Sequence, residues 1–284
     1  MGSGAVLREL LAAGPLLAPG AYDALSAKLL ARAGFSALYR GGYATAASRY
    51  GLPDIGLVGR EEMAEHARTI VEACGLPVLA DADDGYGGPA GAARTVQRFE
   101  QVGVAAIQIE DQLAPKRCGH LDGKRLIPAA EMLEKLAAAL EVRTDALIIA
   151  RTDAVSVEGM DAAIDRANRY AEAGADLIFV DAPRTLAELE RVGREVQGTL
   201  MVCMAENELT PLIPFDDLVG MGYRVVIHPS AALFSAAAAV DHLARTLARE
   251  KTTMRIAREM FAFSELNALL GIDAWQRLDR PNGG

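Results

Sequence analysis

The chain has 284 residues and a formal net charge of −9, with a pI near 5.1. An acidic surface argues against nucleic acid and anionic membranes as partners, and no apolar run approaches the roughly 20 residues that a membrane-spanning helix needs. The three cysteines, Cys74, Cys118 and Cys203, are too few and too scattered for a disulfide framework or a zinc site. With no signal-peptide pattern at the N-terminus, these features predict a cytoplasmic protein.

Short apolar segments alternate with longer helical patterns along the chain. Most apolar segments are continuous rather than alternating, as expected for strands buried on both faces. Gly75, Gly103, Gly174 and Gly198 stand at or near the ends of helical patterns, where glycine is common. The predicted strands are residues 16–19, 37–40, 78–83, 105–111, 146–153, 177–183, 200–205 and 224–229, and the clearest predicted helices are 60–74, 90–102, 129–142, 160–173 and 186–196.

Eight strands that alternate with helices indicate an α/β protein with a parallel sheet. Eight units favour closure into a (β/α)8 TIM barrel over a doubly wound open sheet, and no G-x-G-x-x-G motif follows the first strand. We therefore predict a single barrel domain over residues 1–284, in which residues 251–284 form a C-terminal helical extension. The segment SELNALLGIDAW has apolar residues at helical spacing, which predicts packing on a neighbouring subunit.

Acidic residues collect where the predicted strands end, which is where such barrels carry their active sites. Asp81 and Asp83 end the third strand and are expected on the same side, because alternate residues of a strand face the same way. Glu110 ends the fourth strand, and Asp54 lies in the loop after the second. Oxygen ligands without His or Cys favour Mg²⁺, or Mn²⁺, over zinc. The alternative is a purely structural role, in which single carboxylates here cap helices or pair with cations.

A second candidate is the sequence Lys116-Arg117-Cys118-Gly119-His120, in a polar stretch after the fourth strand. A long loop at this end of a barrel is a candidate lid. The cations before Cys118 make its thiol proton easier to move. We predict that Cys118, Lys116 and His120 are catalytic; the alternative is a solvated basic loop with an incidental cysteine.

Further candidates stand near the ends of other predicted strands. Arg151 offers a two-pronged guanidinium donor for a carboxylate and is predicted to act in both binding and catalysis. Tyr39, Asp181, Cys203 and His228 are predicted to contact the substrate from the second, sixth, seventh and eighth strands. Together these residues predict a pocket for a small-molecule carboxylate.

Six motifs span nearly the whole chain in order: PGAYDALSAKLLARAGFSALY, GLPDIG, DADDGYGG, IEDQLAPKRCGHLDGKRLI, IIARTDA and FSELNALLGIDAW. Together they resemble the isocitrate lyase/phosphoenolpyruvate mutase superfamily, and in particular its branch of 2-methylisocitrate lyase, dimethylmalate lyase and petal death protein. The KRCGH loop is typical of the lyases but also occurs in carboxyphosphonoenolpyruvate mutase. The resemblance implies a barrel whose last helices swap between subunits, commonly in a homotetramer.

The resemblance also implies a reaction and a set of roles. The reaction is the Mg²⁺-dependent cleavage of a 2-hydroxy di- or tricarboxylate, of the 2-methylisocitrate or 2-alkylmalate type, to a 2-oxo acid and a carboxylate. The implied roles are metal binding, directly or through water, by Asp54, Asp81, Asp83 and Glu110; carboxylate binding by the Gly42 and Tyr43 amides; substrate binding by Arg151; and proton donation by Cys118.

Several residues depart from the family pattern. Gly41 replaces a usual Ser or Thr, Asp84 a Thr, Asp181 a Glu, and Cys203 an Asn that helps to hold the far carboxylate of the substrate. The altered far end predicts a substrate other than isocitrate or 2-methylisocitrate. The alternatives that stay open are mutase-type phosphorus transfer, oxaloacetate hydrolysis, and a non-catalytic barrel that binds a ligand or partner.

Overall fold

The computed structural model describes residues 2–119, 121–206 and 210–278. Its centre is a sheet of eight parallel strands. These are β1 Leu16–Pro19, β2 Leu38–Arg40, β3 Val78–Asp81, β4 Ala106–Glu110, β5 Leu147–Thr152, β6 Leu177–Val180, β7 Leu200–Cys203 and β8 Tyr223–His228.

The strands close into a ring. Their hydrogen-bonded order is β1-β8-β7-β6-β5-β4-β3-β2, which leaves β1 and β2 at the two ends. A parallel bridge joins Gly20 to Tyr39, and Ala21 N–H donates to Tyr39 O at 2.9 Å, so the two ends meet. The predicted (β/α)8 barrel is therefore confirmed.

In the unit that contains the barrel, helices follow most of the strands and pack on the outside of the sheet. In α8 the side chain of Thr185 accepts from Glu188 N–H at 3.1 Å, while Glu188 Oε2 accepts from Thr185 N–H at 3.1 Å; this reciprocal pair begins the helix. The helices are α1 Ser3–Ala13, α2 Ala24–Arg32, α3 Gly42–Thr45, α4 Arg60–Cys74, α5 Pro89–Gln101, α6 Ala129–Val142, α7 Met160–Glu172, α8 Leu186–Glu195, α9 Phe215–Gly220, α10 Ala231–Glu250, α11 Phe263–Leu269 and α12 Ile272–Leu278.

Several strands end earlier than the sequence predicts. The third ends at Asp81 rather than 83, and the sixth at Val180 rather than 183. The cause is local, because Asp83 has φ 48° and Ala182 has φ 55°, which are left-handed values that a strand does not contain. The argument that Asp81 and Asp83 face the same way as alternate residues of one strand is therefore wrong. A turn, not a pleat, sets the direction of Asp83.

Two apolar layers hold the strand ends in place. Inside the barrel, side chains including Leu79, Ile149 and Phe179 pack together. Between the strands and the helices, a larger layer includes Phe99 and Tyr170. Close-packed interiors of this kind deform little, so the strand ends form a firm base for functional side chains.

Contacts divide the chain into two compact units, Met1–Leu233 and Phe234–Gly284. The first contains the barrel. In the second, Thr246 and Ile256 are buried, whereas Met254, Phe263, Trp275 and Leu278 are between 69% and 86% exposed. Among the described residues, no helix is both long and apolar enough to cross a membrane. The single-domain organisation with an extension at 251–284 stays a prediction.

Candidate active site

A pocket lies at the carboxyl ends of the strands, where the sequence predicts the active site. Asp83 and His228 are not among its lining residues in the described part of the chain, and the predicted catalytic residue His120 lies outside the described residues. The predicted residues that do line it are Tyr39, Gly42, Tyr43, Asp54, Asp81, Glu110, Lys116, Cys118, Arg151, Asp181 and Cys203.

Four buried carboxylates stand at one side of the pocket, and we call them the acid centre: Asp54, Asp81, Asp83 and Glu110. Asp83 lies behind the other three, which line the pocket. Gly42 N–H donates to Asp81 Oδ2 at 3.1 Å, and Gln108 Nε2 donates to Asp81 Oδ1 at 3.1 Å. A Cβ on Gly42 would lie 3.0 Å from both Asp81 Oδ2 and Asp83 Oδ1. The two carboxylates therefore converge on this backbone, and a residue without a side chain fits there best.

Lys116 supplies positive charge to the acid centre. Its Nζ lies 2.5 Å from Asp54 Oδ1 and 2.6 Å from Asp83 Oδ1, and only 6% of the side chain is exposed. Even so, burial raises the pKa of Asp83 to about 6, against the effect of Lys116 and together with Asp81 and Asp54. Burial also raises the pKa of Glu110 well above its usual range, against the opposing effect of Arg151. For both carboxylates the cost of burial therefore exceeds the effect of the neighbouring cations, and it favours the neutral form of the group.

The donor set of the acid centre fits a hard cation. Glu110 Oε1 is buried and makes no hydrogen bond, whereas the buried Asp83 Oδ1 has the ammonium of Lys116 at 2.6 Å. Buried, unsatisfied carboxylate oxygens are suitable ligands for Mg²⁺. Within the described residues, however, no three His, Cys, Asp or Glu side chains already stand at metal-binding distances. The chemistry of these carboxylates therefore fits a hard cation, although they do not form a close ligand cluster in this structure.

Arg151, near the end of β5, lies beside Glu110 of the acid centre. Its Nε and Nη2 each donate to Asp153 at 2.9 Å, and Nη2 also donates to Asp181 Oδ2 at 3.1 Å. Nε lies 3.3 Å from Glu110 Oε2, and the guanidinium stands 5.4 Å from the centre of the Phe179 ring. Burial alone would raise the pKa of Asp153, but Arg151 and Lys124 hold it below its usual range. The guanidinium is thus fixed and keeps its charge.

Residues 113–119 and 121–127 form what we call the closing loop. At its base Leu113 N–H donates to Arg125 O at 2.7 Å, and a bridge joins Gln112 to Leu126. Near its tip Cys118 N–H donates to Asp54 O at 3.0 Å. A Cβ on Gly119 would lie 1.9 Å from Asp181 Oδ2, so the loop lies in direct contact with the opposite wall. This contact places Cys118 at the pocket.

The part of the pocket around Cys203, which we call its far end, is mainly apolar apart from Asp181. Phe179, Cys203, Ala205 and Ile227 line it. Burial, and then Asp181, raise the pKa of the Cys203 thiol well above its usual range, so this side chain is a neutral, weakly polar group. His228 is adjacent, but its Nδ1 lies 2.9 Å from Glu206 Oε1 and the ring is engaged outside the pocket. Substrate binding by His228 stays a prediction.

Among the described residues that shape the site, the sequence prediction omits several, including Asp153, Lys124 and Phe179. Asp153 stands in the polar run Arg151-Thr152-Asp153, so a signal for it existed. Lys124 follows Gly123 in the closing loop without any informative spacing, and Phe179 is indistinguishable from a core residue of β6. Only the approach of the closing loop to β5 and β6 brings these side chains together.

Together, the parallel barrel, the acid centre, the fixed Arg151 and the thiol on the closing loop define an enzyme site for a small anionic substrate. In sequence, residues 7–248 match the profile of the phosphoenolpyruvate phosphomutase family. The chain belongs to this family.

Two curated relatives extend over nearly the full chain. The chain is 42% identical to 2,3-dimethylmalate lyase of Eubacterium barkeri over 276 residues, covering 96% of both chains. It is 43% identical to 2-methylisocitrate lyase of Halalkalibacterium halodurans over 262 residues, covering 92% of this chain and 87% of the relative. The predicted superfamily and the predicted lyase class are confirmed by these relatives.

Solved structures agree with the sequence comparison. The trigonal crystal form of 2,3-dimethylmalate lyase superposes with a TM-score of 0.93 at 36% identity, covering 100% of this chain and 96% of that one. Phosphonopyruvate hydrolase in complex with oxalate and Mg²⁺ superposes with a TM-score of 0.87 at 26% identity, covering 98% of each chain. The barrel is therefore common to lyases and to a hydrolase of phosphorus compounds.

Proposed function

We propose that the protein is a Mg²⁺-dependent carbon–carbon lyase that cleaves an alkyl-substituted 2-hydroxy dicarboxylate into a 2-oxo acid and a second carboxylate. The observation that carries the proposal is the presence of the acid centre, Arg151 and Cys118 around one pocket. The lyase names of the relatives support the same reaction class.

The acid centre is the part of the pocket suited to Mg²⁺. Asp81, Asp83 and Glu110 would hold the cation directly or through water, and Asp54 would help through water. A Mg²⁺ ion bound there supplies a Lewis acid for the carboxylate and hydroxyl oxygens of the substrate. The presence of Mg²⁺ in the phosphonopyruvate hydrolase structure supports the choice of metal.

The remaining residues bind the substrate and move a proton. The substrate carboxylate contacts the amides of Gly42 and Tyr43, replacing Asp81 as the acceptor of the Gly42 N–H, and Arg151 binds substrate oxygens. As the C2 hydroxyl gives its proton to a carboxylate of the acid centre and becomes a carbonyl, the C2–C3 bond breaks and its electron pair stays on C3, delocalised onto the second carboxylate. The Cys118 thiol then donates its proton to C3. The closing loop excludes water that would divert this carbanion.

The far end of the pocket determines the substrate class. Cys203, Ala205 and Ile227 offer no charge to a carboxylate, and Arg151, the cation that interacts with Cys203, is already paired with Asp153 and Asp181. A third carboxylate would lose its hydration there without compensation. An alkyl group would instead be buried favourably. This supports a 2-alkylmalate or a dialkylmalate as the substrate, rather than isocitrate or 2-methylisocitrate.

The location and assembly belong to the same proposal. The sparse cysteines support a cytoplasmic enzyme. The strongly exposed Phe263, Trp275 and Leu278 support burial against another copy of the chain, in a homotetramer formed through the C-terminal helices.

The decisive experiment measures 2-oxo acid release from a panel of 2-alkylmalates, dialkylmalates and 2-methylisocitrate with Mg²⁺. We expect release from an alkylmalate by the native enzyme and little release by Cys118→Ser. Cys74→Ser is the matched control, since Cys74 lies at the end of α4, away from the pocket. Equal release by native and Cys118→Ser enzyme would exclude the thiol as the proton donor, and best turnover of 2-methylisocitrate would exclude the proposed substrate class. No release at all would favour phosphorus transfer or oxaloacetate hydrolysis, which phosphorus NMR and oxalate detection distinguish.

A further inference from the structure

We infer that Lys124 is a positioning residue that holds the closing loop shut and makes Arg151 available to an anionic substrate. The importance of this role for turnover rests on the proposed function, whereas the role in loop closure does not. Lys124 touches neither the expected position of the substrate nor the metal ligands, and acts through Gly119 and Arg151.

The first observation is the environment of the Lys124 ammonium. The side chain is only 2% exposed, and Nζ donates to Gly119 O. The same Nζ lies 3.2 Å from Asp153 Oδ1 and 4.0 Å from Asp181 Oδ2. A buried ammonium needs such partners, because removal of its hydration is costly. The partners come from the loop tip and from the barrel wall, so Lys124 joins the two.

The second observation is that Lys124 belongs to the fixed part of the closing loop. Its neighbour Arg125 accepts a backbone hydrogen bond from Leu113, and Ile127 N–H donates to Asp111 O at 2.9 Å. Gly119, in contrast, belongs to the tip and directly follows Cys118. The bond from Lys124 to Gly119 O therefore ties the tip to its own base, and it fixes the position of the thiol.

The third observation concerns charge. Asp153 and Asp181 bind both Arg151 and Lys124. Glu110 also lies beside Arg151 at 3.3 Å. Without Lys124, one guanidinium would face three carboxylates, and an arriving anion would be repelled more strongly. Because Lys124 neutralises part of the negative charge of Asp153 and Asp181, the guanidinium of Arg151 can still attract an anionic substrate.

The test compares Lys124→Met with Arg125→Met. Both variants remove one positive charge from the same arm of the loop, but Arg125 is exposed. Amide hydrogen exchange of the peptide containing Cys118 and Gly119 measures loop opening directly. Release of 2-oxo acid from the best alkylmalate measures kcat and KM.

For Lys124→Met we expect at least tenfold faster exchange in this peptide, and a fall in kcat/KM of about 10²-fold that includes a higher KM. Exchange in β5 should not change, and Arg125→Met should behave as the native enzyme in both assays. Unchanged exchange in Lys124→Met would overturn the role in closure. Faster exchange with native kcat/KM would overturn the role in binding.

Two further variants keep the test decisive. Lys124→Arg retains the charge beside Asp153 and should recover KM more than kcat, which a purely structural role would not produce. If Lys124→Met fails to fold, Lys124→Gln, which retains a donor for Gly119 O but no charge, is judged by the same readouts. The exchange measurement needs no turnover, so it stands even if none of the alkylmalates is a substrate.

Discussion

Replacement of Arg40 by methionine is expected to stabilise the folded protein, although it removes a charged side chain. Arg40 is fully buried, and its Nε and Nη2 make no hydrogen bond. Among the ion pairs of the described residues, none includes Arg40. Its contacts are a 3.4 Å approach of Nη1 to Met63 Sδ and a position 5.6 Å from the centre of the Phe99 ring.

The balance of energies favours the apolar side chain. Each unmade hydrogen bond of a buried donor costs about 1–3 kcal/mol, and a buried charge without a partner adds to this cost. The cation–π contact with Phe99 stabilises the folded protein by about 0.5–2 kcal/mol. Methionine fills a similar space without these costs, so we expect a gain of about 1–3 kcal/mol in the free energy of unfolding.

Urea unfolding at neutral pH measures this gain, with the slope of the transition confirming that the unfolded state is unchanged. Arg49→Met is the matched control, because Arg49 is exposed and should shift the stability by less than about 0.5 kcal/mol. The attraction between the Arg40 guanidinium and the carboxylates of the acid centre opposes this gain in the free energy of unfolding. A loss of stability in Arg40→Met would refute the reasoning and show that this attraction exceeds the cost of burial.

Three further predictions concern the site. Because the pKa of Asp83 is raised to about 6 from 3.8, ionisation of Asp83 destabilises the metal-free protein as the pH rises through about 4 to 6. Mg²⁺ should therefore raise the melting temperature more at pH 7 than at pH 5. An equal rise at both pH values would contradict the shift. Gly119→Ala places a Cβ 1.9 Å from Asp181 Oδ2, so kcat/KM should fall at least about 10²-fold with little change in melting temperature. The control Gly220→Ala has open space around the added Cβ and should match the native enzyme. Native turnover by Gly119→Ala would show that the loop need not close fully. Cys203→Asn adds amide donors at the far end of the pocket and should lower kcat/KM for the best alkylmalate about tenfold relative to 2-methylisocitrate; an unchanged ratio would remove Cys203 from specificity.

The sequence predicts the barrel and the acid centre because both depend on local patterns. Strands buried on two faces appear as continuous apolar runs, and residues where strands end appear as polar interruptions, such as Asp81 and Glu110. The left-handed backbone of Asp83 and Ala182 has no equally plain signal, since neither residue is glycine. For this reason the lengths of β3 and β6 were predicted incorrectly.

The partners of the charged side chains could not be predicted in the same way. Arg151 was identified as a substrate-binding residue, but its bonds to Asp153 and Asp181 depend on how β5 and β6 lie side by side. The burial of Lys124 depends on the path of a loop, which no periodicity describes. Apolar patterns therefore predict the scaffold, whereas the ion pairs of the site emerge only in three dimensions.

The position of Lys116 on the closing loop links the movement of the loop to the charge of the acid centre. Because its ammonium lies against Asp54 and Asp83, the loop carries a tethered counter-ion, and opening withdraws a positive charge from the acid centre at the moment when the pocket becomes accessible. An incoming polycarboxylate would then meet uncompensated negative charge, and its entry is opposed until another cation has arrived. We therefore predict an order of binding in which the cation comes first and the substrate second.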